Sequence, residues 1–170
     1  MLTQEILKQL LDYDPLSGIF TWKTRDPDKG GFNKQFAGKV AGTKKSGYIR
    51  IQINGKPYDA HRLAFLFMEG YIPELIDHKD RVGTNNAWDN LRKATDSQNA
   101  ANQSVRSTNI SGYKNVSWDK ARNKWLVNIM KDGKTIYGGR FSELEDAVNA
   151  ANTLRLSLFG SFALYEEFIK

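Results

Sequence analysis

Cysteine is absent from the 170 residues, which excludes disulfide frameworks, thiolate catalysis and cysteine-ligated zinc. Histidine occurs only twice, as His61 and His78. That is too few for a closed zinc site, so a metal would have to be held mainly by oxygen. No stretch approaches the ~20 apolar residues of a membrane span, and the segment Met1 to Leu11 carries Glu5 and no long apolar run. These absences predict a soluble, intracellular protein with no membrane partner. What is present is a 40% hydrophobic composition, enough for real cores in one ordinary domain or two small ones.

The formal net charge of +6 leans toward a polyanionic partner, and its distribution is more telling than its sum. From Arg106 to Arg140 eight Lys/Arg stand against two acids, Asp119 and Asp132, whereas Phe141 to Lys170 has two Lys/Arg against five Asp/Glu. One face of the C-terminal part is therefore basic. Charge of this size also occurs in domains that never touch nucleic acid, so it selects no function by itself.

Along the chain, Thr3 can cap a short amphipathic helix with Ile6, Leu7, Leu10 and Leu11 on one side, stopped by Pro15 and Gly18. Ile19 to Lys23 reads as a strand and Asp26 to Gly31 as an exposed loop. Tyr48 to Ile53, Asn54-Gly55 and Lys56 to Ala60 make a clear hairpin pattern, in which Ile49, Ile51 and Ile53 alternate with Tyr48, Arg50 and Gln52. Ala60 to Met68 reads as a buried helix. Residues 103–111 are polar and without periodicity, the expected linker. Beyond it, Val116 to Trp118, Trp125 to Ile129 and Thr135 to Phe141 read as strands. A helix follows, with Ser142 and Glu145 at capping-box spacing and an apolar stripe at Leu144, Ala147, Val148, Ala151, Leu154 and Leu158. The expectation is an α+β protein whose last part, 112–170, is a three-stranded antiparallel sheet packed on one helix.

Chemistry concentrates in Asp77-His78, Asn90 twelve residues past the histidine, and Asn99 nine further on. Phosphodiester hydrolysis needs an activated water, charge neutralisation on the phosphate and help for the departing 3′ oxygen. An imidazole can take the proton of water near neutral pH once its tautomer is fixed, and an Asn carbonyl can fix it. A hard cation such as Mg²⁺ accepts one carboxylate and one amide oxygen when phosphate and water complete its shell. Ile76 to His78 reads as one strand and Asn90-Leu91-Arg92 as the start of its return. Thr95 with Gln98 forms a capping box, so Asn99 falls in the first turn of a helix. Asn85 and Asn86 read as turn builders.

These residues resemble the HNH nucleases, in particular phage homing endonucleases, where Asp-His, a central Asn followed by Leu-Arg, and a helical Asn recur in this order. The resemblance implies that Asp77 and Asn99 hold a divalent metal (Mg²⁺, or another such as Mn²⁺), that His78 is the general base and that Asn90 orients it. His61-Arg62-Leu63 and Tyr13-Asp14-Pro15, Gly18 and Trp22 are similar to that family's N-terminal region, so the resemblance covers about the first hundred residues. It implies a nuclease part at 1–102, made of an N-terminal hairpin region and a ββα-metal core at about 74–102. Where the family has Asn-Gly-Asp after its Asp-His pair, this chain has Lys79-Asp80-Arg81 and a later Gly83. His61 reads as a packing or phosphate-contacting residue rather than a catalyst.

The C-terminal part is similar to the DNA-binding domain of plant ethylene-response (APETALA-type) factors, through Ser111-Gly112-Tyr113-Lys114, Val116, Lys124-Trp125, Ile129, Gly139, Phe141 and the Glu143 to Ala151 helix. The resemblance implies a sheet face that enters the major groove. The alternation assigns Lys114, Ser117, Lys120, Arg122, Lys124, Asn128, Met130 and Tyr137 to that face. Arg50, Gln52, Lys56 and Tyr58, taken as lying opposite the isoleucines, are a second candidate DNA surface, with a solvated face as the equal alternative. Arg62, Arg81, Arg92 and Lys93 flank the catalytic group as further contacts. The expected function is a metal-dependent endonuclease acting on double-stranded DNA, of site-specific homing type, in the cytoplasm of a phage-infected bacterial cell. A non-catalytic DNA-binding regulator and a general phage DNA-degrading or packaging nuclease stay open. No obligate protein partner is evident, and a homodimer stays open too.

Overall fold

A computed structural model describes residues 2–28 and 30–169. Lys29, inside the expected loop Asp26 to Gly31, lies outside the described residues. The chain is α+β and forms two compact units, Met1–Lys93 and Ala94–Lys170.

The first unit opens with α1 (Gln4–Leu10), where Thr3 Oγ1 accepts from the Ile6 N–H at 3.3 Å as its cap. The helix is shorter than its apolar pattern suggests. Leu7 is buried and Ile6 is not, and Leu11 already belongs to a strand, β1 (Leu11–Asp14), paired antiparallel with β2 (Ile19–Trp22). Thus Pro15 and Gly18 shape a hairpin turn rather than a helix stop. The Asp14 carboxylate ties that turn, accepting from the Leu16 N–H and the Ser17 hydroxyl.

A short helix α2 (Phe32–Phe36) leads to a sheet in the order β3 (Thr43–Lys45), β4 (Tyr48–Ile53), β5 (Lys56–Asp59). Asn54 and Gly55 both have positive φ, as a two-residue hairpin turn requires. Then α3 (Ala60–Glu69) buries Ala60, Leu63, Ala64, Phe65 and Leu66. They join Leu7, Leu11, Phe20, Ile51, Ile53 and Leu91 in the core of this unit. The last hairpin, β6 (Ile76–His78) with β7 (Leu91–Lys93), pairs Asp77 with Arg92 and His78 with Leu91.

The second unit begins with α4 (Asp96–Asn102). Its capping box forms as the sequence predicts: Thr95 Oγ1 accepts from the Gln98 N–H at 3.2 Å, and Gln98 Oε1 accepts from the Thr95 N–H at 2.9 Å. Thr95→Ala is expected to lower the stability of this unit by about 1 kcal/mol, measured as a fall in the urea unfolding midpoint at unchanged slope. Residues 103–111, read as a linker, are not bare chain at their end. Asn109 Nδ2 donates to the carbonyls of Tyr113 and Val116, and Ser111 Oγ donates to the Val116 carbonyl at 2.8 Å.

A sheet of β8 (Val116–Asp119), β9 (Lys124–Lys131) and β10 (Lys134–Phe141) runs in the order β10-β9-β8 and packs on α5 (Leu144–Phe159). Val116, Val127, Ala147, Val148 and Ala151 are fully buried between them, and the small alanines let helix and sheet approach closely. The Ser142/Glu145 capping box does not form. Because β10 runs on to Phe141, the helix starts at Leu144 with Glu143 at the cap position and no side-chain cap. Arg155, 1% exposed, holds the C-terminal segment: its guanidinium donates to the Lys114 carbonyl at 2.7 Å and to Glu166 at 3.0 Å. No helix among the described residues is long and apolar enough to cross a membrane.

Candidate active site

His78 ends β6, and both it and Asp77 are buried, at 7% and 5% exposure. Successive strand residues point to opposite faces, so the two leave β6 in different directions. Asp77 meets its cross-strand partner: Arg92 Nε and Nη2 both lie 2.7 Å from Asp77 Oδ2. On the other side, the His78 ring is edge-on to His61, with centroids 5.2 Å apart, and Tyr48 lies 5.4 Å from His61 and 6.0 Å from His78.

The imidazole's tautomer follows from one contact. His78 Nε2 is 3.2 Å from Asn86 Oδ1, while Asn86 Nδ2 donates to the Thr84 carbonyl at 3.3 Å. An amide oxygen only accepts, so Nε2 carries the proton and donates it to Asn86. The basic lone pair is then on Nδ1. Asn86, read from the sequence as a turn builder, is 2% exposed and is the side chain that reaches the histidine.

Asn90 has a different placement. Its side-chain N–H groups donate to Asp80 Oδ1 at 2.9 Å and the Asn85 carbonyl at 2.8 Å, and its Oδ1 accepts from the Asp80 N–H at 3.0 Å. Asp80 also accepts from the Val82 N–H and from Asn85 Nδ2. Burial opposes the charge on Asp80, yet the donors from Val82, Asn85 and Asn90 outweigh it and hold the carboxyl below its ordinary range. Lys79-Asp80-Arg81 thus closes the loop through a carboxylate hub, and Asn90 ties both ends of that loop.

The hub is braced from the N-terminal hairpin. Tyr13 Oη donates to the Asn86 carbonyl at 2.7 Å, and the Trp88 N–H donates to the Pro15 carbonyl at 2.8 Å. Burial, and then the charge of Asp14, push the Tyr13 phenol up, so it stays a donor at neutral pH. Gly18, at φ +73°, lies directly against the backbone of Asn86 and Ala87. The Tyr13-Asp14-Pro15 and Gly18 stretch, noted only as a resemblance, is therefore the support of the residue that holds His78.

The expected DNA contacts divide. Arg50 donates to Asp59 at 3.0 Å, Arg62 to the Glu74 carbonyl at 3.3 Å, and Lys93 pairs with Glu69 at 2.8 Å. Arg81 is exposed in the loop at φ +65°. The pairing of Ile53 with Lys56 and Ile51 with Tyr58 corrects one expectation. Cross-strand partners share a face, so Lys56 and Tyr58 are on the isoleucine side, and Tyr58 packs on the core. Arg50 instead shares its side with Thr43 by register, and Lys45 with Tyr48.

In the second unit, Ser117, Lys120, Arg122 and Lys124 are exposed, Asn128 is half-buried, and Tyr137 is exposed beside Arg140, which bonds it at 3.2 Å. Arg140, missed in the sequence, joins that face because a bulge between Tyr137 and Gly139 breaks strict alternation. Arg122 and Arg140 both pair with Asp119. Lys114 is elsewhere: its ammonium donates to the Ala100, Ala101 and Gln103 carbonyls at the end of α4, which caps that helix. Asn99, in the first turn of α4, is half-buried and belongs to the second compact unit.

A family model described as HNH endonuclease matches residues 58–101, the stretch from the second hairpin strand through α4. No solved structure matches the chain. Protein 3.8 of Escherichia phage T7 is 36% identical over 98 residues, which are 56% of this chain and 80% of that protein. The chain carries an HNH endonuclease domain and belongs to the same family as that phage protein.

Proposed function

We propose that the chain is a divalent-metal-dependent endonuclease that hydrolyses phosphodiester bonds in double-stranded DNA, of site-specific homing type. The observation that carries this is the Asn86-held imidazole of His78, whose basic lone pair is left on Nδ1, one residue along β6 from the buried carboxylate of Asp77. His78 Nδ1 takes the proton of the attacking water as the oxygen closes on phosphorus, and Asn86 stabilises the resulting imidazolium through Nε2. Asn90 is a positioning residue in this scheme, acting through the loop that carries Asn86.

Asp77 and Asn99 would hold Mg²⁺. The donors fit a hard cation: a carboxylate and an amide, with no thiolate, and water and phosphate to complete the shell. Among the described residues no three His, Cys, Asp or Glu gather to hold a metal, so protein donors alone would not complete the shell. When bound, the cation neutralises charge on the phosphate and on the departing 3′ oxygen. Arg92, on Asp77 Oδ2, orients that carboxylate.

In this reading the chain comprises a nuclease part at 1–102, a connection at 103–111 and a DNA-binding part at 112–170, with Ser117, Lys120, Arg122, Lys124, Asn128 and Tyr137 toward DNA. Incubation of supercoiled plasmid with the protein and Mg²⁺ is expected to give nicked or linear DNA, and EDTA to stop it. Intact plasmid under both conditions would leave the non-catalytic regulator as the reading. Cuts at one position support the homing type, and cuts at many a degradative nuclease.

A further inference from the structure

His61 has no part in the mechanism above, yet its ring is in edge contact with that of His78. It stands in the first turn of α3, packed also against Tyr48. Its Nδ1 is sealed from solvent and has no hydrogen-bond partner among the described residues. A buried polar atom without a partner costs stability that a phenyl ring in the same place would not, so a purely packing role leaves the histidine unexplained.

His61 as a residue is only partly buried, and Nδ1 but not Nε2 is among the sealed atoms without a partner, which leaves Nε2 as the ring nitrogen open to an incoming group. With nothing to accept a proton from Nδ1, the neutral ring carries its hydrogen on Nε2, where an incoming acceptor can meet it. Burial, and then the neighbouring His78, push the His61 pKa down to about 4, against a smaller upward pull from Asp59. The ring is neutral at working pH and donates without competing for the proton that His78 must take.

Reach decides what the acceptor is. A water hydrogen-bonded to His78 sits ~3 Å from its ring nitrogen, and the phosphorus that it attacks ~3–3.5 Å further. A ring whose centroid is 5.2 Å from that of His78 is within range of the oxygens on that phosphorus. We propose that His61 is a further catalytic residue, its Nε2–H donating a hydrogen bond to a non-bridging oxygen of the scissile phosphate. The proton stays on Nε2 throughout, so the contact strengthens as charge builds on the oxygen and no transfer is involved. The inference rests on the nuclease reading above.

The test compares wild type, His61→Phe and His61→Gln in plasmid cleavage with Mg²⁺, plasmid binding in EDTA, and thermal unfolding. His61→Phe is expected to lower kcat about 10²-fold, with Tm unchanged or raised and binding in EDTA within twofold of wild type. His61→Gln, which restores an N–H donor, is expected to recover part of the rate. A Phe variant that cuts within twofold of wild type overturns the assignment and leaves the nuclease reading intact. So does a Phe variant whose lost rate comes with a lower Tm and is not recovered by Gln, since that is packing. A wild-type protein that never cuts overturns both.

Discussion

His78→Ala is expected to reduce Mg²⁺-dependent plasmid cleavage by about 10²–10⁴-fold, the range that a positioned general base contributes, while plasmid binding in EDTA stays within a few-fold of wild type. A single atom carries the effect. With Nε2 donating to Asn86 Oδ1, Nδ1 is the only basic atom the ring can offer, and alanine removes it along with the tautomer lock. His78 is 7% exposed and its ring packs against those of Tyr48 and His61, so alanine also leaves a cavity. His78→Gln separates the two effects: it fills the space, cannot act as a base, and is expected to be as inactive as alanine with a smaller fall in Tm. Cleavage at the wild-type rate by either variant rules out His78 as the base.

Gly18→Ala is expected to cost about 2–5 kcal/mol in unfolding free energy and to cut cleavage with it, although residue 18 is sixty positions from His78 in sequence. A Cβ there would stand 2.1 Å from the Asn86 carbonyl carbon and 2.2 Å from the Ala87 nitrogen. These are backbone atoms, and neither can move aside as a flexible side chain would. Overpacking of this kind costs ~1–3 kcal/mol, and an L-residue in the left-handed region at φ +73° adds ~1–2 kcal/mol. Relief can come only by separating the β1–β2 turn from the 79–90 loop, which moves the amide that sets the His78 tautomer. Urea unfolding followed by plasmid cleavage at a temperature where the variant is folded checks both halves. A stable variant with wild-type activity would show that the turn does not brace the site.

Much of this was legible because local rules decided it. Thr3 and Thr95 are caps and Asn54-Gly55 is a hairpin turn, since each depends on residues within a few positions of one another; the β6–β7 return also forms, though it pairs Asp77 with Arg92 across a longer loop and starts at Leu91, with Asn90 in the 3-10 turn before it. The Asp77-His78, Asn90 and Asn99 spacing likewise pointed to the nuclease class whose model matches residues 58–101. The errors have a common source. Lys56 and Tyr58 were assigned to the wrong side because alternation along one strand does not reveal which partner residue crosses to which. The Ser142 cap failed because a strand continued to Phe141, and Arg140 was missed because a bulge reset the alternation.

Asn86 is the most informative miss. Asn85 and Asn86 stand side by side in a turn-rich stretch, and nothing local distinguishes the one that bonds its own loop from the one that reaches His78. The distinction is made by Tyr13 and Gly18, seventy-three and sixty-eight residues before Asn86, which press its backbone into place from another hairpin.

Composition and spacing by themselves set the inventory available for chemistry, with no cysteine, two histidines and a formal net charge of +6, and pointed to the HNH endonuclease class. They determined the local elements too, because caps and turns are short-range interactions. Which amide holds the histidine, which cations are already paired, and that His61 lies against His78 were decided only by tertiary structure. Those relations depend on packing between segments far apart in the chain, and no pattern within one segment encodes them.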